Sequence, residues 1–117
     1  MISAATVGIL SEAYGLTKAL GVNPEVLKVA IENNASGSVL TGMKLPSIME
    51  GDYDPHFSLS NMFKDSKFAL ELAKQFELEL PVHTTTANVM YRSLQKGHGE
   101  KDFSVIAKAY QPESDDE

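Results

Sequence analysis

Apolar residues recur at three-to-four spacing along nearly the whole chain, the period of an α-helix. Between positions 2 and 20 they form one stripe, Ile2, Ala5, Ile9, Ala13, Leu16 and Leu20, and a second, Val7, Leu10 and Tyr14. Apolar positions on two faces predict a helix with little solvent exposure. Ala4, Gly8, Ser11 and Gly15 add a strip of small residues. Glycine costs about 1 kcal/mol against alanine inside a helix. The strip therefore predicts a close approach by another backbone, either in the core or from a partner chain or domain.

Gly21 stands where a helix ends in the left-handed conformation. Asn23, Pro24 and Glu25 supply an N-cap, a first-turn proline and an acid at the positive end of the next helix, which runs to about Asn33. Its inward residues are expected to be Val26, Leu27, Val29, Ala30 and Ile31. A turn at 35–38 precedes a third helix over about 38–50, which Pro46 is expected to kink or break. Residues 51–57 form the longest non-periodic stretch, a loop by composition that nevertheless carries Tyr53 and Phe57. Ser58 then caps the strongest helix, about 58–76, with Leu59, Met62, Phe63, Leu70, Ala73 and Phe76 inward. A fifth helix covers 82–96, weakened at its start by Thr84, Thr85 and Thr86. Gly97, His98 and Gly99 break it, and Asp102 caps a last helix over about 103–110. No alternating strand pattern or internal repeat survives. The expected architecture is all-α, a single domain of five to seven helices.

Composition narrows this picture. The chain has 117 residues, enough for one domain and too few for two. It has no cysteine, which excludes disulfides, thiolate metal sites and cysteine nucleophiles. A reducing compartment, and so a cytoplasmic location, is expected. No apolar run approaches the ~20 residues that cross a bilayer. The net charge is −6, but Glu113, Asp115, Asp116 and Glu117 carry four of those charges. The chain thus divides into a domain over 1–111 and an acidic tail over 112–117, expected to be disordered. Without a basic patch, nucleic-acid binding is not expected. The chain also opens at full apolar density, as if a helix had been entered part-way along.

Candidate chemistry is sparse. His56, His83 and His98 lie in different segments, without the i, i+4 pairing of a helical metal site, and no metal is expected. No phosphate loop follows a strand, so no dinucleotide fold lies within the chain. Lys64 follows the apolar Phe63 and stands two turns beyond Phe57. Its stem can lie on apolar surface while its ammonium faces a cleft. Alternatively, it forms an ordinary ion pair with Glu71 or a neighbour.

The run Phe57-Ser58-Leu59-Ser60-Asn61-Met62-Phe63-Lys64-Asp65, followed by Ala69-Leu70 and Leu80-Pro81, resembles the C-terminal domain of the β-hydroxyacid dehydrogenases. That family includes 3-hydroxyisobutyrate dehydrogenase, tartronate semialdehyde reductase and glyoxylate/succinic semialdehyde reductases. Glu12-Ala13, Gly21-Val22-Asn23-Pro24, Tyr91 before Gly97-His98-Gly99, and Asp102-Phe103-Ser104 keep the same order. The resemblance spans about residues 1–110. It implies a helical fold like the C-terminal domain of 6-phosphogluconate dehydrogenase, with an NAD- or NADP-binding Rossmann half lying upstream. It also implies that the catalytic lysine and its asparagine partner fall just before Met1, so no catalytic residue is expected in this chain.

Lys64 matches the lysine that reaches the cofactor beside the nicotinamide ribose. Phe57 and Asp65 match positions lining the substrate cleft. The implied reaction is hydride transfer between the nicotinamide and a small hydroxyacid or semialdehyde. A homodimer or higher oligomer through the first helix is implied as well. The alternative is a free-standing helical dimerisation or regulatory module without catalysis.

Overall fold

A computed structural model describes residues 1–111, and the acidic stretch 112–117 lies outside the described residues. The order is α1 (Ile2–Ala19), α2 (Pro24–Glu32), α3 (Val39–Glu50), α4 (Leu59–Gln75), α5 (Pro81–Gln95) and a 3-10 helix, η1 (Phe103–Tyr110). Among the described residues there is no strand, only an isolated antiparallel bridge between Ser58 and Asp102. The all-α expectation holds, with six helical elements.

The predicted punctuation is largely present. Gly21 is left-handed, with φ 76°, and closes α1 through N–H bonds back to Lys18. The Asn23 side chain accepts from the Glu25 amide at 3.0 Å, and Ser58 accepts from Asn61 at 3.2 Å. Ser38 and Thr41 form a reciprocal capping box on α3. Pro46 does not break that helix, which runs on to Glu50. The threonine triplet does not delay α5, because Pro81 supplies a pre-set first-turn φ.

The core sits where η1 crosses between α1, α3, α4 and α5. Five successive residues of η1, Phe103 to Ala107, are buried. One cluster joins Phe103, Val105 and Ile106 to Ala4 and Val7 of α1, Leu59 and Met62 of α4, and Met90 of α5. A second joins Leu10, Tyr14, Leu45, Ile48 and Ala107. Such encirclement explains why this segment is a 3-10 helix and not the α-helix its sequence suggests. Packing on every side governs its backbone more strongly than propensity does.

The faces of α1 differ from expectation. Its buried residues are Ala4, Val7, Leu10, Ser11, Tyr14 and Gly15, the small strip together with the second stripe. The larger stripe is outside: Ile2, Ile9, Leu16 and Leu20 are 62–82% exposed. Gly15 is the close approach predicted for the strip, and its neighbour is the Tyr110 backbone of the chain's own η1. Gly8 faces open space. Elsewhere Val26, Val29, Ala30 and Phe76 are exposed, not inward. The small domain has too little interior to bury every apolar residue its helices carry.

Candidate functional site

The non-periodic stretch before α4 is tightly held. The Asp102 amide donates to the Tyr53 carbonyl at 2.8 Å, and the Phe103 amide to the Phe57 carbonyl at 3.0 Å. Leu59 and Ser60 donate in turn to the carbonyls of Lys101 (2.8 Å) and Gly99 (2.9 Å). Residues 53–60 are thereby stitched to the turn between α5 and η1. A Cβ at Gly99 would meet Ser60 Oγ, so glycine allows the two segments to close.

Asp102 is the hub of this junction. Its side chain is 2% exposed. Oδ1 accepts the amides of His56 (3.0 Å) and Phe57 (3.2 Å). Oδ2 accepts the Ser104 hydroxyl (2.6 Å), the Ser104 amide (3.1 Å) and Lys44 Nζ (2.9 Å). Lys44 is buried too, and its ammonium also lies 5.1 Å from the centre of the Phe103 ring. Burial alone would push the carboxyl upward. The donors from Ser104, Lys44 and the His56 amide outweigh it and hold the group at about 2 against an ordinary 3.8.

Beyond the cap, α4 turns Leu59, Met62 and Ser66 into the core. Asn61, Lys64, Asp65 and Phe68 are exposed, and helical spacing puts them on one side of α4. Phe57, 39% exposed, stands one residue ahead of the Ser58 cap, outside the helix, so helical spacing does not assign it to that side. The structure thus puts Lys64 and Asp65 on the open flank of α4 and leaves Phe57 just ahead of its cap. Among the described residues, Lys64 has no ion pair with Glu71 or any other acid. The two salt bridges are Lys28–Glu32 and Lys44–Asp102.

A groove of 580 Å³ lies at the far end of α4, against the start of α5, with Leu70, Lys74 and Thr84 among its walls. One of 400 Å³ separates α1 from α5, and one of 240 Å³ separates α2 from α3. None of these three is lined by Phe57, Lys64 or Asp65. Among the described residues, no three His, Asp or Glu side chains group as for a metal ion. No helix among them is long and apolar enough to cross a membrane.

Sequence reasoning missed Lys44 and the reach of Asp102, which it took only as a cap. A signal was present. Lys44 shares a helix face with Thr41, Leu45 and Ile48, and a lysine there requires a carboxylate partner.

A family model described as the NAD-binding part of NADP-dependent 3-hydroxyisobutyrate dehydrogenase matches residues 1–110. L-threonate dehydrogenase of Escherichia coli K12 is 26% identical over 100 residues, covering 86% of this chain and 33% of that protein. The chloroplastic glyoxylate/succinic semialdehyde reductase 2 of Arabidopsis thaliana is 27% identical over 110 residues, with 93% and 30% covered. Cytokine-like nuclear factor N-PAC of Anopheles gambiae is 33% identical over 108 residues, with 91% and 19% covered. The crystal structure of a 3-hydroxyisobutyrate dehydrogenase from Salmonella typhimurium superposes with a TM-score of 0.86 at 22% identity, covering 92% of this chain and 38% of that one. The chain therefore spans a third or less of these curated relatives.

Proposed function

The chain belongs to the family of NAD-binding segments of NADP-dependent 3-hydroxyisobutyrate dehydrogenases, and from that premise we propose that it is the C-terminal substrate and dimerisation part of an NAD(P)-dependent β-hydroxyacid dehydrogenase. The observation that carries this reading is the flank of α4. An exposed lysine without an ion pair stands on this flank, and a partly exposed phenylalanine just precedes the helix cap. Such a surface suits a ligand held between two domains. The dinucleotide-binding wall and the catalytic lysine belong to a segment outside this chain.

The nicotinamide, when bound, supplies or accepts the hydride. Lys64 fits an anionic or hydroxyl-bearing part of the cofactor, because its ammonium has no competing acid and its stem rises from a fixed helix. Phe57 offers an apolar edge that helps keep water from the reacting carbon. Asp65, one residue on, suits orienting Lys64 or a substrate hydroxyl. The substrate class is a small hydroxyacid or its semialdehyde. The exposed stripe Ile2, Ile9, Leu16 and Leu20 on α1 suits pairing with a second copy of the chain.

Similarity to the protein named cytokine-like nuclear factor favours a second reading, a helical dimerisation or regulatory module without catalysis. An NMR titration with NADP⁺ of this chain, isotope-labelled and joined behind a dinucleotide-binding half, separates the two. Shifts clustered at Phe57, Asn61 and Lys64, and weakened in Lys64→Ala, support the dehydrogenase reading. An unperturbed spectrum at millimolar NADP⁺, or shifts indifferent to Lys64→Ala, refutes it.

A further inference from the structure

Phe57 is a peculiar wall residue. It belongs to neither hydrophobic cluster of the core and is only partly covered. Its own packing therefore does not set its place, and its backbone must. The carbonyl of Phe57 is tied to the Phe103 amide, while its N–H and that of His56 converge on one oxygen of Asp102.

We propose that Asp102, balanced by Lys44, is a positioning residue of the cleft, whose carboxylate sets the Phe57 peptide and the entry into α4. The proposal rests on the assignment of Phe57 and Lys64 to that cleft.

Capping η1 does not account for what Asp102 does. A cap needs one oxygen and the Ser104 amide, and Oδ2 already serves both. Oδ1 is given over to the loop alone, taking two consecutive amides just ahead of the Ser58 cap. The cation that balances the charge comes from α3, 58 residues earlier in the chain. A buried ion pair is commonly replaceable by apolar residues of similar size without loss of stability. Stability alone thus does not require these charges here, whereas two directed acceptor bonds to a loop do require an oxygen. The backbone rungs at Tyr53 and Leu59 lie on either side, and the carboxylate fixes the peptide between them. Asp102 is accordingly not a catalytic residue. It acts through Phe57 and the first turns of α4.

The exchange test uses the chain alone. In Lys44→Met/Asp102→Leu, apolar groups of similar volume replace the pair. Amide exchange at His56 and Phe57, read by NMR, is expected to quicken by about tenfold or more while Val7 and Met90 keep their protection. Wild-type exchange at His56 and Phe57 in the folded double variant overturns the proposal. Should the double variant not fold, the isosteric Asp102→Asn gives the same readout. A neutral oxygen accepts more weakly, so exchange at the two amides rises by at least about threefold, and unchanged rates overturn the proposal. Both variants, isotope-labelled and joined behind a dinucleotide-binding half, are also titrated with NADP⁺. A loosened loop with wild-type NADP⁺ shifts at Lys64 overturns the positioning role but leaves the cleft assignment standing. NADP⁺ that shifts nothing on the α4 flank of the joined wild type instead refutes the cleft itself.

Discussion

Two glycines on α1, one helix heptad apart, are expected to respond to the same substitution with opposite signs. Replacing either by alanine removes the helix penalty of glycine, a gain of about 1 kcal/mol. At Gly8 nothing stands within reach of the new methyl group, so Gly8→Ala keeps that gain. At Gly15 the methyl group meets the carbonyl oxygen of Tyr110 and lies 2.8 Å from the Tyr110 Cβ. Neither is the far end of a flexible side chain, so η1 must back away from α1. Overpacking of this kind costs about 1–3 kcal/mol. Gly15→Ala should therefore range from neutral to destabilised by about 2 kcal/mol. The cleaner quantity is the difference between the variants, in which helix propensity cancels and the overpacking cost of about 1–3 kcal/mol remains. In urea, with a slope of about 1–2 kcal/mol/M, their midpoints should stand roughly 0.5–3 M apart. Far-UV circular dichroism across a urea series measures this directly. If Gly15→Ala proves as stable as Gly8→Ala, η1 does not seat on α1 as described.

Lys44→Met leaves the Asp102 carboxylate buried without its cation and should cost about 3–5 kcal/mol in denaturation; a loss below about 1 kcal/mol would mean water reaches the pair. Because the folded carboxyl of Asp102 is depressed from 3.8 to about 2, the stability it adds is complete above its ordinary range and disappears as pH falls through about 2. The wild-type chain should thus lose about 2 kcal/mol more than Asp102→Asn between pH 5 and pH 2, and parallel acid-unfolding curves contradict this. Lys64→Ala removes an exposed side chain without an ion pair and should change stability by less than about 0.5 kcal/mol. In an enzyme carrying this chain behind its dinucleotide-binding half, the same change should weaken cofactor binding roughly 10- to 100-fold, and unchanged kinetics return Lys64 to ordinary surface charge. Leu16→Glu should abolish any concentration-dependent association seen by sedimentation, and association that survives it does not run along α1.

Reading the sequence succeeded where the information is local. Caps such as Asn23 and Ser58, the left-handed Gly21 and the helix periods depend on neighbouring residues, and they stand where expected. Deciding which face of α1 is inside needs the shape of the partner surface. Two apolar stripes looked equally suited to the core, and only the one beside the small residues admits the η1 backbone. The conformation of η1 was hidden for the same reason, since four surrounding helices impose it. At the site, helical spacing alone puts Lys64 and Asp65 on one side of α4. The Lys44–Asp102 pair was out of reach, because its members are far apart in sequence and only the closed fold brings them together.

The seating of η1 on α1 joins nearly the first residues of the described chain to nearly the last. Such a contact has long sequence separation, and its loop-closure entropy must be met before it returns any stability. On the ribosome, α1 emerges ahead of the other elements described here and cannot cover its small-residue face until Phe103–Tyr110 has followed. Until then the nascent helix shows water both its apolar sides, the one destined for the core and the one that stays outside. Cooperative closure should therefore come late, and a truncation anywhere before Phe103 should leave this helical domain aggregation-prone and not merely smaller.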